Sequence, residues 1–166
     1  MAIKVNIHDI RDNKSAQFQD IFNINARDLD LPAMDGVEWQ RFTLDFQLTN
    51  AENLYVLQGK LTGPVGLVCS RCLKPVNYQL DVDVLEEFSS RPAVDDDVHR
   101  FQGEEIDLTQ VLREIVLLAL PVKPLCSPDC RGLCPHCGID KNVESCECNP
   151  KSVDPRLAVL EKLIRK

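Results

Sequence analysis

The sequence predicts an α+β domain: an antiparallel β-rich body, one buried helix, and a C-terminal cysteine-rich zinc tail closed by a short helix. Three observations carry this. Apolar and polar residues alternate with period two from Glu38 to Phe88. A single stretch, Ile106 to Leu120, has strong helical spacing. Six of the eight cysteines lie in LCSPDCRGLCPHCGIDKNVESCECNP, from Leu125 to Pro150. The expected division is a body over 1–103 bearing a CxxC hairpin, then a helix, zinc-knuckle tail and closing helix over 104–166.

Taken in order, Ile3, Val5 and Ile7 alternate with polar residues and predict a first strand. Phe18, Ile21 and Phe22 predict one face of a short helix, and Asp35-Gly36 a turn. Phe42, Leu44, Phe46 and Leu48 predict a half-buried strand, with Asn50–Asn53 as the turn and Leu54–Thr62 as the returning strand. Gly63-Pro64 is expected to break that strand. Val65–Val68 then leads into Cys69, and Val76, Tyr78, Leu80, Val82 and Val84 alternate again beyond Pro75. The CSRC pair, Cys69 and Cys72, therefore falls at a hairpin tip. Asp95-Asp96-Asp97 reads as a solvated acidic loop. Ile106–Leu120 reads as a heavily buried helix packed on the sheet, capped by Asp107 with Gln110 completing a capping box and stopped by Pro121 and Pro124. Asp154-Pro155 starts the closing helix, whose apolar face is Leu157, Leu160, Leu163 and Ile164.

Composition narrows the function. The chain has 166 residues, 44% hydrophobic and 27% charged, enough for a sizeable core. No apolar run approaches the roughly 20 residues of a membrane span. MAIKVNIHDIRD lacks the apolar segment of a signal peptide, so a reducing cytoplasmic location is expected. There, paired cysteines mean metal or redox chemistry more often than disulfides. A zinc held by four thiolates carries a charge of −2, so two of them take the formal charge from −7 to −11. That disfavours a general electrostatic grip on nucleic acid and suits a basic partner protein. No G-x-S-x-G, phosphate-binding glycine loop or H-E-x-x-H is present, and no catalytic set emerges.

The cysteines supply the chemistry. Cys134-Pro135-His136-Cys137-Gly138 has the form of a zinc knuckle, with Gly138 supplying a positive φ and backbone N–H groups facing the sulfurs. Chain proximity groups Cys134, Cys137, Cys146 and Cys148 in one site, leaving Cys126 and Cys130 to join Cys69 and Cys72. The alternative grouping joins Cys126, Cys130, Cys134 and Cys137 and leaves CSRC with Cys146 and Cys148. Two zinc ions per chain are expected, each held by four cysteines. An iron–sulfur cluster also uses four thiolates, and a thiol-based redox or metal-responsive regulator is the rival class. His136 is expected to face solvent.

CSRCLKPV, the helix leading into LLALPVKPLC, the run CSPDCRGLCPHCGIDKN, the C-x-C and DPRLAVLEKL stand here in the order of the YceD family, the large ribosomal RNA subunit accumulation proteins, which this chain resembles from about Val65 to its end. The resemblance implies a bacterial cytoplasmic protein, with plastid relatives, that supports accumulation of large-subunit ribosomal RNA without known enzymatic activity. Its partners would be large-subunit components. Either the tail contacts ribosomal RNA through Lys123, Arg131, Lys141 and Lys151, or the acidic body holds a basic ribosomal protein.

Overall fold

A computed structural model describes residues 2–52, 54–91 and 97–148. The elements are β1 (Lys4–Asn6), α1 (His8–Arg11), β2 (Gln17–Asn25), β3 (Val37–Trp39), β4 (Arg41–Ala51), β5 (Leu54–Val68), β6 (Pro75–Ser89), β7 (Val98–Arg100), β8 (Glu105–Asp107) and α2 (Thr109–Leu118). The described residues are thus mainly β, with two helices.

The main sheet runs β2-β4-β5-β6-β7, with β3 also pairing β5. Its centre follows from the alternation. Phe42, Leu44, Phe46 and Leu48 of β4, Leu57, Leu61 and Val65 of β5, and Leu80, Val84 and Phe88 of β6 are buried together, while Asp45, Lys60 and Asp83 face water. A second, two-stranded ribbon pairs β1 with β8. It ties the chain start to α2: Leu108 N donates to Ile3 O, and Ile3 N to Thr109 Oγ1. Leu108, Val111, Leu112 and Val116 complete the same core.

Several expectations are corrected. Phe18, Ile21 and Phe22 lie on β2, not on a helix, because Phe18 and Phe22 share strand parity as well as helical spacing and both pack on the Phe46 ring, at centroid distances of 6.1 and 5.1 Å. Gly63-Pro64 does not break β5. The β4 pairing stops at Thr43↔Thr62 and the β3 pairing starts at Trp39↔Val65, so Pro64 sits beside the gap between them. Not every strand pair is antiparallel: β6 and β7 run parallel. The helix begins later than expected, because 105–107 pair with β1. Its N-cap is Leu108, the Asp107 carboxylate accepts from Thr109 N, and Gln110 bonds Glu114, so no capping box forms. Nor is α2 buried all round: Leu118 is 85% exposed. No helix among the described residues is long and apolar enough to cross a membrane. The closing helix at 155–164, Asp95 and Asp96 of the acidic loop, and Lys151 lie outside the described residues.

Candidate metal centre

Two long strands place the first pair of sulfurs. β5 and β6 stay in register from Tyr55↔Phe88 to Val68↔Pro75, so the turn joining them is held rigidly. Cys69 N donates to Lys74 O, and Leu73 N to Cys69 O, which folds the CSRC pair into a knuckle. Leu73 takes φ +60° to complete it, a conformation costly for a side chain of that size.

The segment after α2 docks on this tip through backbone groups. Ser70 N and Oγ both donate to Pro124 O at 2.9 Å. Arg71 Nη1 donates to Cys130 O at 2.7 Å, and Arg71 O accepts from Leu133 N. Gly132, at φ +70°, passes so close that a Cβ there would lie 2.8 Å from Arg71 O. These contacts bring Cys126 and Cys130 to Cys69 and Cys72. The four Sγ atoms lie within 4.8 Å of one another. Cys72–Cys126 is 3.5 Å and Cys69–Cys130 is 3.9 Å. Cys69, Cys72 and Cys130 are buried.

The second group is Cys134, Cys137, Cys146 and Cys148, again within 4.8 Å of one another. Gly138 N donates to Cys134 O and Cys134 N to Ile139 O, closing the knuckle, and Gly138 has the expected positive φ, +74°. This site is more open: Cys134 is buried, Cys137 is exposed, and Cys146 and Cys148 are intermediate. His136 is exposed. The structure therefore brings together the cysteine sets favoured by chain proximity.

The outer loop also reaches back to the inner tetrad. Asn142 Nδ2 donates to Cys130 Sγ at 3.4 Å, and Asn142 Oδ1 accepts from Arg131 N at 2.7 Å. Lys74 Nζ pairs with Asp140 Oδ2 at 2.6 Å. Sequence reasoning missed Asn142, Arg71, Lys74 and Gly132; no ligand spacing marks them, and only the fold makes them neighbours of sulfur.

All eight cysteines are free thiols. Four sulfurs about 2.3 Å from a tetrahedral zinc stand about 3.8 Å apart, and the 3.5 and 3.9 Å separations bracket that value. The electrostatics fit a cation as well. Burial opposes ionisation of Cys69, but the backbone N–H groups of Cys72, Arg71 and Cys126 outweigh it and hold the thiol at about 6. The N–H groups of Cys137 and His136 bring Cys134 to about 6. Neighbouring sulfurs push one further thiol in each group up: Cys126, beside Cys72 and Cys130, to about 12, and Cys148, beside Cys137, to about 12. Four sulfurs this close cannot all carry charge without a cation among them.

Of the expected RNA-contacting residues, Lys123 and Arg131 are exposed and Lys141 is half-buried, and none forms an ion pair with a described residue.

Residues 57–164 match the family model for "Large ribosomal RNA subunit accumulation protein YceD". An uncharacterized Mycobacterium tuberculosis protein is 33% identical over 127 residues, covering 73% of this chain and 61% of that protein. The uncharacterized protein YlbN of Bacillus subtilis is 37% identical over 110 residues, 64% of each chain. A maize chloroplast protein named as a YCED homologue for large ribosomal RNA subunit accumulation is 37% identical over 51 residues, 30% of this chain and 17% of its own length. The match thus spans about three-fifths of the mycobacterial relative. No solved structure matches.

Proposed function

Because this chain belongs to the YceD family of large ribosomal RNA subunit accumulation proteins, we propose that it is a non-catalytic factor supporting accumulation or assembly of large-subunit ribosomal RNA, with two structural zinc ions. One observation carries the reading: eight cysteines, drawn from a hairpin tip and a distant tail, converge into two groups of four. Zinc suits them because each group gathers its four sulfurs within 4.8 Å of one another, room for a single tetrahedral ion, whereas an iron–sulfur cluster sets several metal atoms between its thiolates. Four thiolates leave no open coordination position for substrate or water, which supports a structural role. Cys69 and Cys72 with Cys126 and Cys130 clip the tail to the sheet; Cys134 and Cys137 with Cys146 and Cys148 shape its outer loop. The clipped tail presents Lys123 and Arg131 to a large-subunit partner. Cysteines that hold metal rather than form disulfides suit a reducing compartment, so the proposal includes a cytoplasmic location.

Co-purification from cells, with and without ribonuclease, tests the role. Large-subunit RNA should accompany the tagged protein. If ribosomal proteins remain after ribonuclease, the acidic body is holding a basic ribosomal protein; if every partner is lost, RNA is the direct contact. Absence of any large-subunit component from both samples refutes the role. The exposure of Cys137 favours one second reading, a thiol switch at the outer site. Exposure to air separates the two: a structural protein keeps both metal ions, and a switch loses the outer one and forms disulfides.

A further inference from the structure

Apart from the cysteines, the chain builds an open cleft of about 730 Å³ where β2, β3 and β4 meet. It is lined by Trp39, Arg27, Arg41, Asn25, Gln40 and Asp28, together with Pro64. The topology explains its position. β3 and β4 both pair with β5 but change over at Gln40, leaving a notch in the sheet opposite Pro64. Trp39 is half-buried, and its indole Nε1 donates to Pro32 O at 2.9 Å, so the ring is fixed against the cleft. Arg27 and Arg41 are exposed and form no ion pair with a described residue. In a protein of net charge −7 and only one tryptophan, two arginines beside that tryptophan are an unusual concentration of groups.

We propose that this cleft binds a segment of single-stranded RNA, one base stacking on Trp39 while Arg27 and Arg41 take the flanking phosphates. The proposal deepens the family-level reading above by naming a contact outside the metal tail. Each group has a role in it. A fixed aromatic ring is a stacking platform for an unpaired base. Guanidinium groups match phosphate oxygens with paired donors. Gln40 offers a side-chain amide to a base edge. The Asp28 carboxylate accepts from Asn25 N and Nδ2, at 3.3 and 3.1 Å, which fixes the Asn25 side of the cleft. A free mononucleotide fits less well: the cleft is open, and neither a glycine-rich loop nor a helix N-terminus lines it to enclose a terminal phosphate. Duplex RNA fits poorly too, since an acidic body cannot track two charged backbones. Pro64 lies five residues before Cys69, which follows the end of β5, roughly 17 Å of extended chain, so a short strand in the cleft can also reach the clipped tail.

Because Trp39 is the only tryptophan, its fluorescence reports the site directly. The full metal-loaded chain is titrated with a mixed-sequence ten-nucleotide single-stranded RNA, the corresponding RNA duplex, AMP, and a short polyglutamate peptide. The expected result is saturable quenching by the single strand alone. Arg27→Gln with Arg41→Gln should weaken binding at least tenfold and lower the slope of log affinity against log salt by about 1.4, with unchanged far-UV circular dichroism. Trp39→Phe, followed by anisotropy of labelled RNA, should weaken binding about fivefold or more. Four results would overturn the assignment: no quenching by RNA, equal affinity for AMP, tighter binding of the acidic peptide, or full binding by the double arginine variant. If RNA binding is lost on neutralising Lys123, Arg131 and Lys141 but survives the cleft variants, this site falls and the family-level role stands. Saturable quenching by a protein that carries no large-subunit component from cells leaves the cleft standing and sinks that role.

Discussion

Metal removal should release the tail and leave the sheet folded. Cys72 and Cys126 are 54 positions apart, and closing a loop of that length costs about 4 kcal/mol. Fixing each tail residue costs a further 1–2 kcal/mol or so of backbone entropy. Against this stand the hydrogen bonds Ser70 N to Pro124 O, Leu133 N to Arg71 O and Arg71 Nη1 to Cys130 O, together worth about 3 kcal/mol. The half-buried Leu125 and Leu133 add a little packing. These contacts do not offset the ordering cost, whereas a structural zinc contributes about 10–16 kcal/mol. The sheet has no such dependence, since its core of Phe42, Leu44, Leu61, Leu80 and Phe88 is buried without help from the sulfurs. Hydrogen exchange on the metal-loaded and chelated protein, both kept reduced, should show residues 124–148 losing protection while β4, β5 and β6 keep theirs. Cys72→Ser should reproduce the loss at 124–134 and halve the bound metal. Persistent protection of the knuckles without metal would refute the reasoning, as would melting of β4–β6 along with them.

Three substitutions probe the supports. Gly132→Ala forces a Cβ toward Arg71 O at φ +70° and should weaken tail docking by about 1–3 kcal/mol, read as faster metal loss to a chelator. Asn142→Ala removes the amide that donates to Cys130 Sγ and should lower affinity at the inner site about tenfold or more, measured by competition with a zinc indicator. Asn50→Ala strips partners from three carbonyls, since its buried Nδ2 donates to Ile10 O, Arg11 O and Asn13 O at 2.7, 3.0 and 3.2 Å. It should cost about 2–4 kcal/mol in urea unfolding without changing bound metal.

How much of this the sequence reveals depends on the range of the interactions concerned. β4 and β6 are legible because one wet face and one core face impose period two on adjacent residues. The sulfur sets are legible because a knuckle is local and the nearest free pair completes it. β2 reads as a helix because positions four apart share both a helix face and a strand face, and only the Phe46 ring from another strand decides between them. Pro64 reads as a strand end because its tolerance depends on where β3 and β4 change over along β5. The cleft around Trp39 gathers residues 25–28, 39–41 and 64, and no local pattern joins them. Asn142 is the same kind of case, since its value lies in a contact with Cys130 that only the folded outer loop creates.

Native mass spectrometry with element analysis, on the 166-residue chain purified under reducing conditions, tests the central claim most directly. The account predicts a chain of 18.7 kDa carrying two zinc ions, with one lost for each tetrad disabled by a Cys→Ser change. A chain without metal, or one whose mass shows its thiols joined as disulfides, would contradict it.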